Sequence, residues 1–186
     1  MDELVISTAR LMIRDFRDTD LQAVAGMWSD PAAARFMDDA PKSAMESAAW
    51  LEQVIHHNRV RPRVAYNLAI TLSGNERAIG WVGFGPSERG SGSGTYGVGY
   101  LLESTHWRQG YMTEVLRAVT DVVFNQLGGI RLVAWCHAGN VASARTLERA
   151  GFSRIRTYSR TLPGEEVVEC VDYELVANQP GDEMLR

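Results

Sequence analysis

The sequence predicts one mixed α/β sheet of the α+β kind, mostly antiparallel with one parallel pair and flanked by helices. Three observations lead there. The elements run in the order β-α-α-β-β-β-α-β-α-β-β. The strands before residue 102 follow one another without an intervening helix after residue 64, as antiparallel neighbours do. A helix then separates the strand ending at Leu102 from the one starting at Ile130, and such a helix connects parallel strands by a right-handed crossover.

Each element has a local cause. Ile6 to Phe16 alternates weakly and reads as a first strand. Asp18 and Thr19 offer N-cap chemistry for a helix to about Trp28, and Asp30-Pro31 reads as a break and restart. Ser43 with Glu46 forms a capping box for a helix through about Asn58. Val64 to Leu72 and Ala78 to Gly85 are strand-like, joined by the turn SGNE. The Gly/Ser-rich stretch PSERGSGSG, 86–94, is expected to be mobile. Thr95 to Leu102 is a strand. From Gly110 to Leu127 the apolar residues Met112, Val115, Leu116, Val119, Val122 and Val123 share one helical face, and Gly128-Gly129 stops it. Ile130 to Cys136 is continuously apolar and reads as a strand buried on both faces. Asn140 to Ala150 is a short helix ended by Gly151. Phe152 to Arg160 and Val167 to Val176 make a hairpin around LPGE. With no repeat and no linker, residues 1–178 read as a single domain and 179–186 as a frayed tail.

Composition narrows the function. Of 186 residues, 45% are hydrophobic and 23% charged, ordinary for a soluble domain. No apolar run approaches the ~18–20 residues of a membrane span, and the acidic, alternating N-terminus is no secretory signal. Cys136 and Cys170 allow at most one bridge, and each reads as a buried free thiol. These features imply the cytoplasm. The net charge of −4 speaks against nucleic acid, which selects a basic stripe; the nearest candidate, RVRPR at 59–63, reads as a solvated connector. Gly92, Gly94 and Gly97 match GxGxxG but precede a strand, whereas a dinucleotide fingerprint opens a helix. His56 and His57 are helix neighbours that cannot face one ion, and Cys136 and His137 point to opposite faces of a strand, so no metal site is expected.

Two stretches carry chemistry. In HWRQGYMTE, 106–114, a turn leads from a strand into a helix. The first helical turn has N–H groups without intrahelical partners, backed by the positive end of the macrodipole, and such an end suits a diphosphate. Gly110 lets phosphate oxygens approach the backbone, Arg108 and Gln109 add donors, and Thr113 adds a hydroxyl. Taken alone, the segment serves a plain strand-turn-helix corner equally well. In GNVASARTLERAGF, 139–152, Asn140 is a good N-cap, and Gly151 with Phe152 forms a helix C-cap. Those roles account for most of its letters.

Together, VGYLLESTHWRQGYMTEV and NVASARTLERAGF resemble the two consecutive central motifs of the GNAT superfamily of acetyl-CoA-dependent N-acetyltransferases. The opening TARLMIRDFRDTDLQAVAGMWSDPAAARFM is similar to the branch containing the ribosomal-protein N-terminal acetyltransferases. The resemblance covers roughly residues 5–176. It departs at three positions: Arg108 replaces the usual first glycine of the loop, Met112 a small residue, and Glu148 the tyrosine that many members use as general acid.

The resemblance implies an acyl-CoA N-acyltransferase fold in which the strand at 98–102 splays from the one at 130–136. Pantetheine would pair with backbone groups of Leu101 and Leu102. The diphosphate would lie on Arg108, Gln109, Gly110, Tyr111, Met112 and Thr113. Asn140 would bond the pantetheine arm, and Arg145 would reach an outer phosphate. The reaction would be direct attack of an amine on acetyl-CoA through a tetrahedral intermediate, with no metal. Ser143 is the candidate acid, matching the serine of this branch, and Glu103 the candidate base. The acceptor would be a protein N-terminal α-amine or a small-molecule amine, selected by residues 28–50, where Trp28, Phe36, Asp38, Asp39 and Trp50 could line a slot, and by the final hairpin. The same aromatics also suit a helix-helix core. No membrane or direct nucleic-acid partner is implied, and similar proteins are often homodimers. The alternative is a non-catalytic acyl-CoA-binding module, since the tyrosine is missing.

Overall fold

A computed structural model describes residues 4–37, 43–88, 93–162 and 166–177. Asp38, Asp39, Gly92, most of the LPGE turn and the C-terminal tail, all singled out above, lie outside the described residues. Among the described residues eight strands form one sheet: β1 (Ile6–Ser7), β2 (Leu11–Asp15), β3 (Tyr66–Leu72), β4 (Ala78–Pro86), β5 (Thr95–Leu102), β6 (Arg131–His137), β7 (Ser153–Thr161) and β8 (Val167–Val176). Their spatial order is β1-β2-β3-β4-β5-β6-β8-β7, and only β5 and β6 pair in parallel among the described residues. The helices are α1 (Leu21–Ser29), α2 (Pro31–Ala34), α3 (Ala44–Arg59), α4 (Tyr111–Asn125) and α5 (Val141–Ala150). None of the described helices is long and apolar enough to cross a membrane.

The helices divide the core between the two faces of the sheet. The apolar stripe Met112, Val115, Leu116, Val119, Val122 and Val123 of α4 packs with Leu147 of α5 on Leu11, Ile13, Leu68, Ile70, Val82 and Leu132. On the opposite face, α1 and α3 bury Val24, Met27, Trp28, Leu51 and Val54 against Ala69, Ala78 and Leu101. Strand alternation produces both layers from one chain: Leu68 and Ile70 turn to the first, Ala69 to the second. Cys136 and Cys170 are free and buried.

Four local expectations are revised. The first strand is interrupted, because Thr8 N–H reaches the Leu11 carbonyl at 2.9 Å and folds the segment into a small hairpin, β1 against β2. Asp18 and Thr19 do not cap α1. Residues Asp18–Asp20 make a 3-10 turn instead, and α1 starts at Leu21. The cause is Asp20, whose carboxylate receives both guanidinium arms of Arg14 (2.7 and 2.9 Å) and the Arg17 N–H (2.8 Å). RVRPR is solvated through residues 59–62 but not at its last arginine. The Arg63 side chain is 3% exposed, forks onto Asp15 at 3.0 and 2.6 Å and stacks on Tyr66. Finally, β6 is buried on one face only: Leu132, Ala134 and Cys136 are buried, while Val133, Trp135 and His137 are partly exposed. The α4–α5 layer covers the first set, whereas the α1–α3 layer packs on β3 and β4 and does not reach the second.

The Arg14–Asp20 pair is enclosed, with side-chain exposures of 3% and 4%. Removing one member strands the other charge, a loss of about 3–5 kcal/mol. Urea denaturation of Asp20→Ala is expected to show a destabilisation of that size; a change under about 1 kcal/mol would place the pair in solvent.

Candidate coenzyme cleft and active site

The parallel pair at the sheet's centre is incomplete. β5 and β6 are in register only through Thr95↔Arg131, Tyr96↔Leu132 and Gly97↔Val133. Beyond those three pairs, β5 stays with β4 through Leu102, and β6 stays with β8 through His137. The two strands therefore part, and the second half of each has one edge without a strand partner. Glu103 N–H reaches the Ile79 carbonyl at 3.0 Å. By the alternation of an antiparallel ladder, the backbone of Leu101 also turns toward β4, while Tyr100 and Leu102 turn toward the gap. The Leu102 carbonyl is taken by the Trp107 indole N–H (2.8 Å). The Leu102 amide and both backbone groups of Tyr100 remain available for a ligand.

The loop from β5 to α4 opens beside this gap. Gly110 is the α4 N-cap at φ 78°, ψ 3°, and no side chain caps the helix. Arg108, at φ 62°, is the one non-glycine with positive φ among the described residues, and strain of that kind concentrates at functional sites. The Gly110 carbonyl takes the Glu114 N–H at 3.1 Å, so the amides of Tyr111, Met112 and Thr113 are the orphan donors of the first turn. Arg10 holds the loop from outside. Its Nη1 donates to the Gln109 carbonyl (2.9 Å), its Nε to Glu114 (2.8 Å), and its guanidinium lies 4.6 Å from the centre of the Tyr111 ring. Glu114 also accepts from Thr8 Oγ1 (2.6 Å) and the Arg10 N–H (3.0 Å). These bonds outweigh burial and keep its carboxyl below the ordinary glutamate value.

Across the gap, Asn140 caps α5 by accepting the Ser143 N–H at 3.1 Å. The Ser143 hydroxyl lies 2.8 Å from the Tyr100 hydroxyl, which reaches over from β5. Burial is the main cause that pushes the Tyr100 phenol far above its ordinary value. Cys136 also lies beside Ser143, and burial raises its thiol. On the sheet face away from α4 and α5, a cavity of about 960 Å³ opens over the parting strands, lined by Gly97, Gly99, Val133, Trp135, Asp172 and Glu174 among others. Two of its acids are paired, Glu174 with Arg131 and Asp172 with Arg156.

A split parallel pair beside an uncapped, glycine-led helix leaves backbone groups open to a ligand, and comparison with known proteins gives the family. The model of the acetyltransferase (GNAT) domain matches residues 10–153. The chain belongs to the GNAT acetyltransferase family. The uncharacterized N-acetyltransferase YnaD of Bacillus subtilis (strain 168) is 24% identical over 158 residues, 85% of this chain and 88% of YnaD. The crystal structure of a GNAT-family acetyltransferase from Bacillus anthracis superposes with a TM-score of 0.81 at 22% identity, covering 93% of this chain and 98% of that one. RimL, a ribosomal L7/L12 α-N-protein acetyltransferase solved with coenzyme A in disulfide linkage to a cysteine, gives a TM-score of 0.75 at 17% identity, covering 93% and 98%. The fold is thus that of GNAT acyltransferases, and the chain is an acetyltransferase by family.

In this GNAT domain the loop residues expected at the diphosphate are together. Arg108 and Gln109 are exposed, Gly110 caps the helix, Tyr111 and Thr113 are half-buried, and Met112 turns its side chain into the core while its amide joins the orphan donors. Of the two residues expected on the pantetheine arm, Leu102 faces the gap and Leu101 faces β4; Tyr100 stands where Leu101 was expected. Arg145 is exposed on α5. Glu103 is 8% exposed, and its carboxylate is forked by Arg77 (2.9 and 2.5 Å), with His106 Nδ1 at 3.5 Å. Trp28 and Trp50 lie edge to face in the α1–α3 core with Trp81, the helix-helix role that their sequence also allowed. Phe36 lies against His137 at the end of β6, ring centres 5.5 Å apart. Arg10, Asp30, Arg77, Trp107 and Tyr100 were missed. Arg10, Asp30 and Arg77 act through partners far along the chain, such as Arg10 with Glu114, 104 positions on, whereas Trp107 reaches back only to Leu102. Tyr100 had a signal: it is in phase with Val98 and Leu102 on the binding strand.

Asp30 ties the α2 corner to the loop. One carboxylate oxygen accepts the Ser104 N–H (2.9 Å), and the other accepts from Ala32 and Ala33. The bonds from Ser104 keep its carboxyl below the ordinary 3.8. Such a group adds stability in full above the unfolded value and loses it as pH falls through the lower folded one. Asp30→Asn is therefore expected to lower stability at neutral pH and to flatten the acid limb of the stability curve below about pH 4. A mutant limb parallel to wild type would remove Asp30 from the acid response.

Proposed function

We propose that the protein transfers the acetyl group of acetyl-CoA to a primary amine, either a protein N-terminal α-amine or a weakly basic small molecule. The observation that carries this reading is the gap between β5 and β6 next to the uncapped start of α4. A diphosphate would rest on the amides of Tyr111 to Thr113, with Arg108, Gln109 and the Thr113 hydroxyl beside it. Pantetheine would lie along Tyr100 and Leu102 and meet the Asn140 amide nitrogen, whose Oδ1 is already occupied by the cap. Arg145 would meet an outer phosphate. Acetyl-CoA is the coenzyme of the family, and the RimL structure holds coenzyme A.

The acceptor would approach from the cavity on the opposite face, where Gly97 and Gly99 leave the backbone uncovered. Its neutral nitrogen attacks the thioester carbonyl. A β5 amide facing the gap stabilises the oxygen's negative charge, and the Ser143 hydroxyl supplies the proton that the departing sulfur needs. Basicity bears on the acceptor. A Lys-type amine has a reference pKa of about 10.4 and an α-amine about 7.7–8.0, a difference of roughly 3 kcal/mol in deprotonation. Glu103, the candidate base, has both oxygens bonded to Arg77, so an acceptor amine would have to displace a guanidinium to reach it. That favours an amine already largely neutral at working pH. The resemblance of the N-terminal segment to the ribosomal-protein branch supports an N-terminal α-amine.

Thiol release from acetyl-CoA with a panel of N-terminal peptides, amino acids, aminoglycosides and polyamines tests the reaction. Turnover with an α-amine or weakly basic amine is expected. Coenzyme binding without turnover on any amine would favour the non-catalytic module. Gly110→Asp puts a carboxylate at the helix mouth and is expected to weaken coenzyme A by at least about 100-fold, near 2.7 kcal/mol, in calorimetric titration; unchanged affinity would refute the phosphate site. Ser143→Ala is expected to lower kcat by about 100-fold with KM for acetyl-CoA little changed.

A further inference from the structure

We infer that Tyr100 is a positioning residue for the reaction, donating its hydroxyl hydrogen to Ser143 Oγ so that the serine's own hydrogen points at the departing sulfur. The inference rests on the transferase reading above. The usual tyrosine position on α5 is occupied by Glu148, which is exposed, so a phenol cannot arrive from that helix. One arrives instead from β5, on the segment that has already parted from β6. Its oxygen is 2.8 Å from Ser143 Oγ and 3.3 Å from the Ser143 carbonyl. A serine hydroxyl has one hydrogen and two acceptor sites. When the phenol donates to Oγ rather than to the Ser143 carbonyl, the serine oxygen is an acceptor on that side and its hydrogen can turn to the gap or to the Cys136 sulfur beside it. When the serine donates instead, its hydrogen is spent on the phenol. The same contact that aims the proton thus decides whether Ser143 can act.

The step balances without a further reagent. The bond between carbonyl carbon and sulfur breaks, and its electron pair goes to sulfur. The sulfur takes the Ser143 hydrogen. The serine oxygen regains a proton lost by the acceptor nitrogen, carried by water. During the exchange the oxygen carries partial negative charge, which the Tyr100 O–H stabilises while keeping its own proton. A phenol part-buried between β5 and α5 resists ionisation, so it stays a donor rather than becoming a competing anion. Ser143 touches the reacting sulfur; Tyr100 acts through Ser143.

A double-mutant cycle of Tyr100→Phe and Ser143→Ala tests the pairing, with kcat and KM for acetyl-CoA read separately and coenzyme A affinity measured by calorimetry. Tyr100→Phe is expected to lower kcat by roughly tenfold, with KM and coenzyme affinity within about twofold. In the Ser143→Ala background the same change is expected to cost nothing further, because groups acting as one unit are not additive. Ser143→Thr, which keeps a hydroxyl, should retain most of the rate and remain sensitive to Tyr100→Phe. Tyr100→Leu replaces the Phe variant if the latter is unstable. Wild-type kcat in the Tyr100 variant, or losses that multiply in the double variant, overturn the inference while leaving the transferase reading intact. A wild type that turns over no amine overturns the transferase reading and the inference with it.

Discussion

A sheet that stops pairing at its centre is the constraint on which the rest of the molecule depends. β5 and β6 share three residue pairs and then part, each held by a neighbour on its far side. Unpaired backbone groups inside a protein are costly unless water or a ligand meets them. The chain keeps the opening by anchoring both banks. The β4–β5 bank is tied at its end by the Arg77–Glu103 fork and by the Trp107 indole on the Leu102 carbonyl. The β6–β8 bank runs in unbroken register from Arg131 to His137. The first turn of α4 sits where the banks are furthest from their last shared pair, with its orphan amides unclaimed by any side-chain cap.

The loop over the opening is held by charges from distant parts of the chain. Arg10 comes from the β1–β2 hairpin and Asp30 from the α1–α2 corner, and each clamps one part of residues 104–114. Neither carries the proposed chemistry. They fix a backbone that includes a strained arginine and a left-handed glycine, geometry that an unsupported loop would relax. Fixing the donors before the ligand arrives lowers the ordering cost of binding. In this GNAT domain the N-terminal third therefore helps to shape the loop that leads into α4.

Much of the fold was legible from local pattern. The stripe from Met112 to Val123 determines a helix face, and the Asn140 and Gly151 caps delimit α5 to within a residue. The Ser43 cap of α3 likewise forms as its spacing suggests. What escaped were effects of partners far along the chain. Asp18 and Thr19 look like caps until Arg14 claims Asp20 and shifts the helix start. The run Ile130 to Cys136 looks buried on both faces because nothing in its letters tells that the α1–α3 layer stops short of it. At the site, the uncapped start of α4 was readable because its orphan amides are consecutive in the sequence. The direction of each β5 amide depends on the ladder with β4, so the facing of Leu101 and Tyr100 was not legible in their letters.

The account stands or falls on where a diphosphate binds. A crystal structure of the protein with coenzyme A tests it most directly. Phosphate oxygens at about 2.7–3.2 Å from the amides of Tyr111 to Thr113, with the pantetheine arm lying between β5 and β6, are the predicted result. A diphosphate bound elsewhere, or a gap filled by the protein's own side chains while the coenzyme lies outside it, would contradict the account.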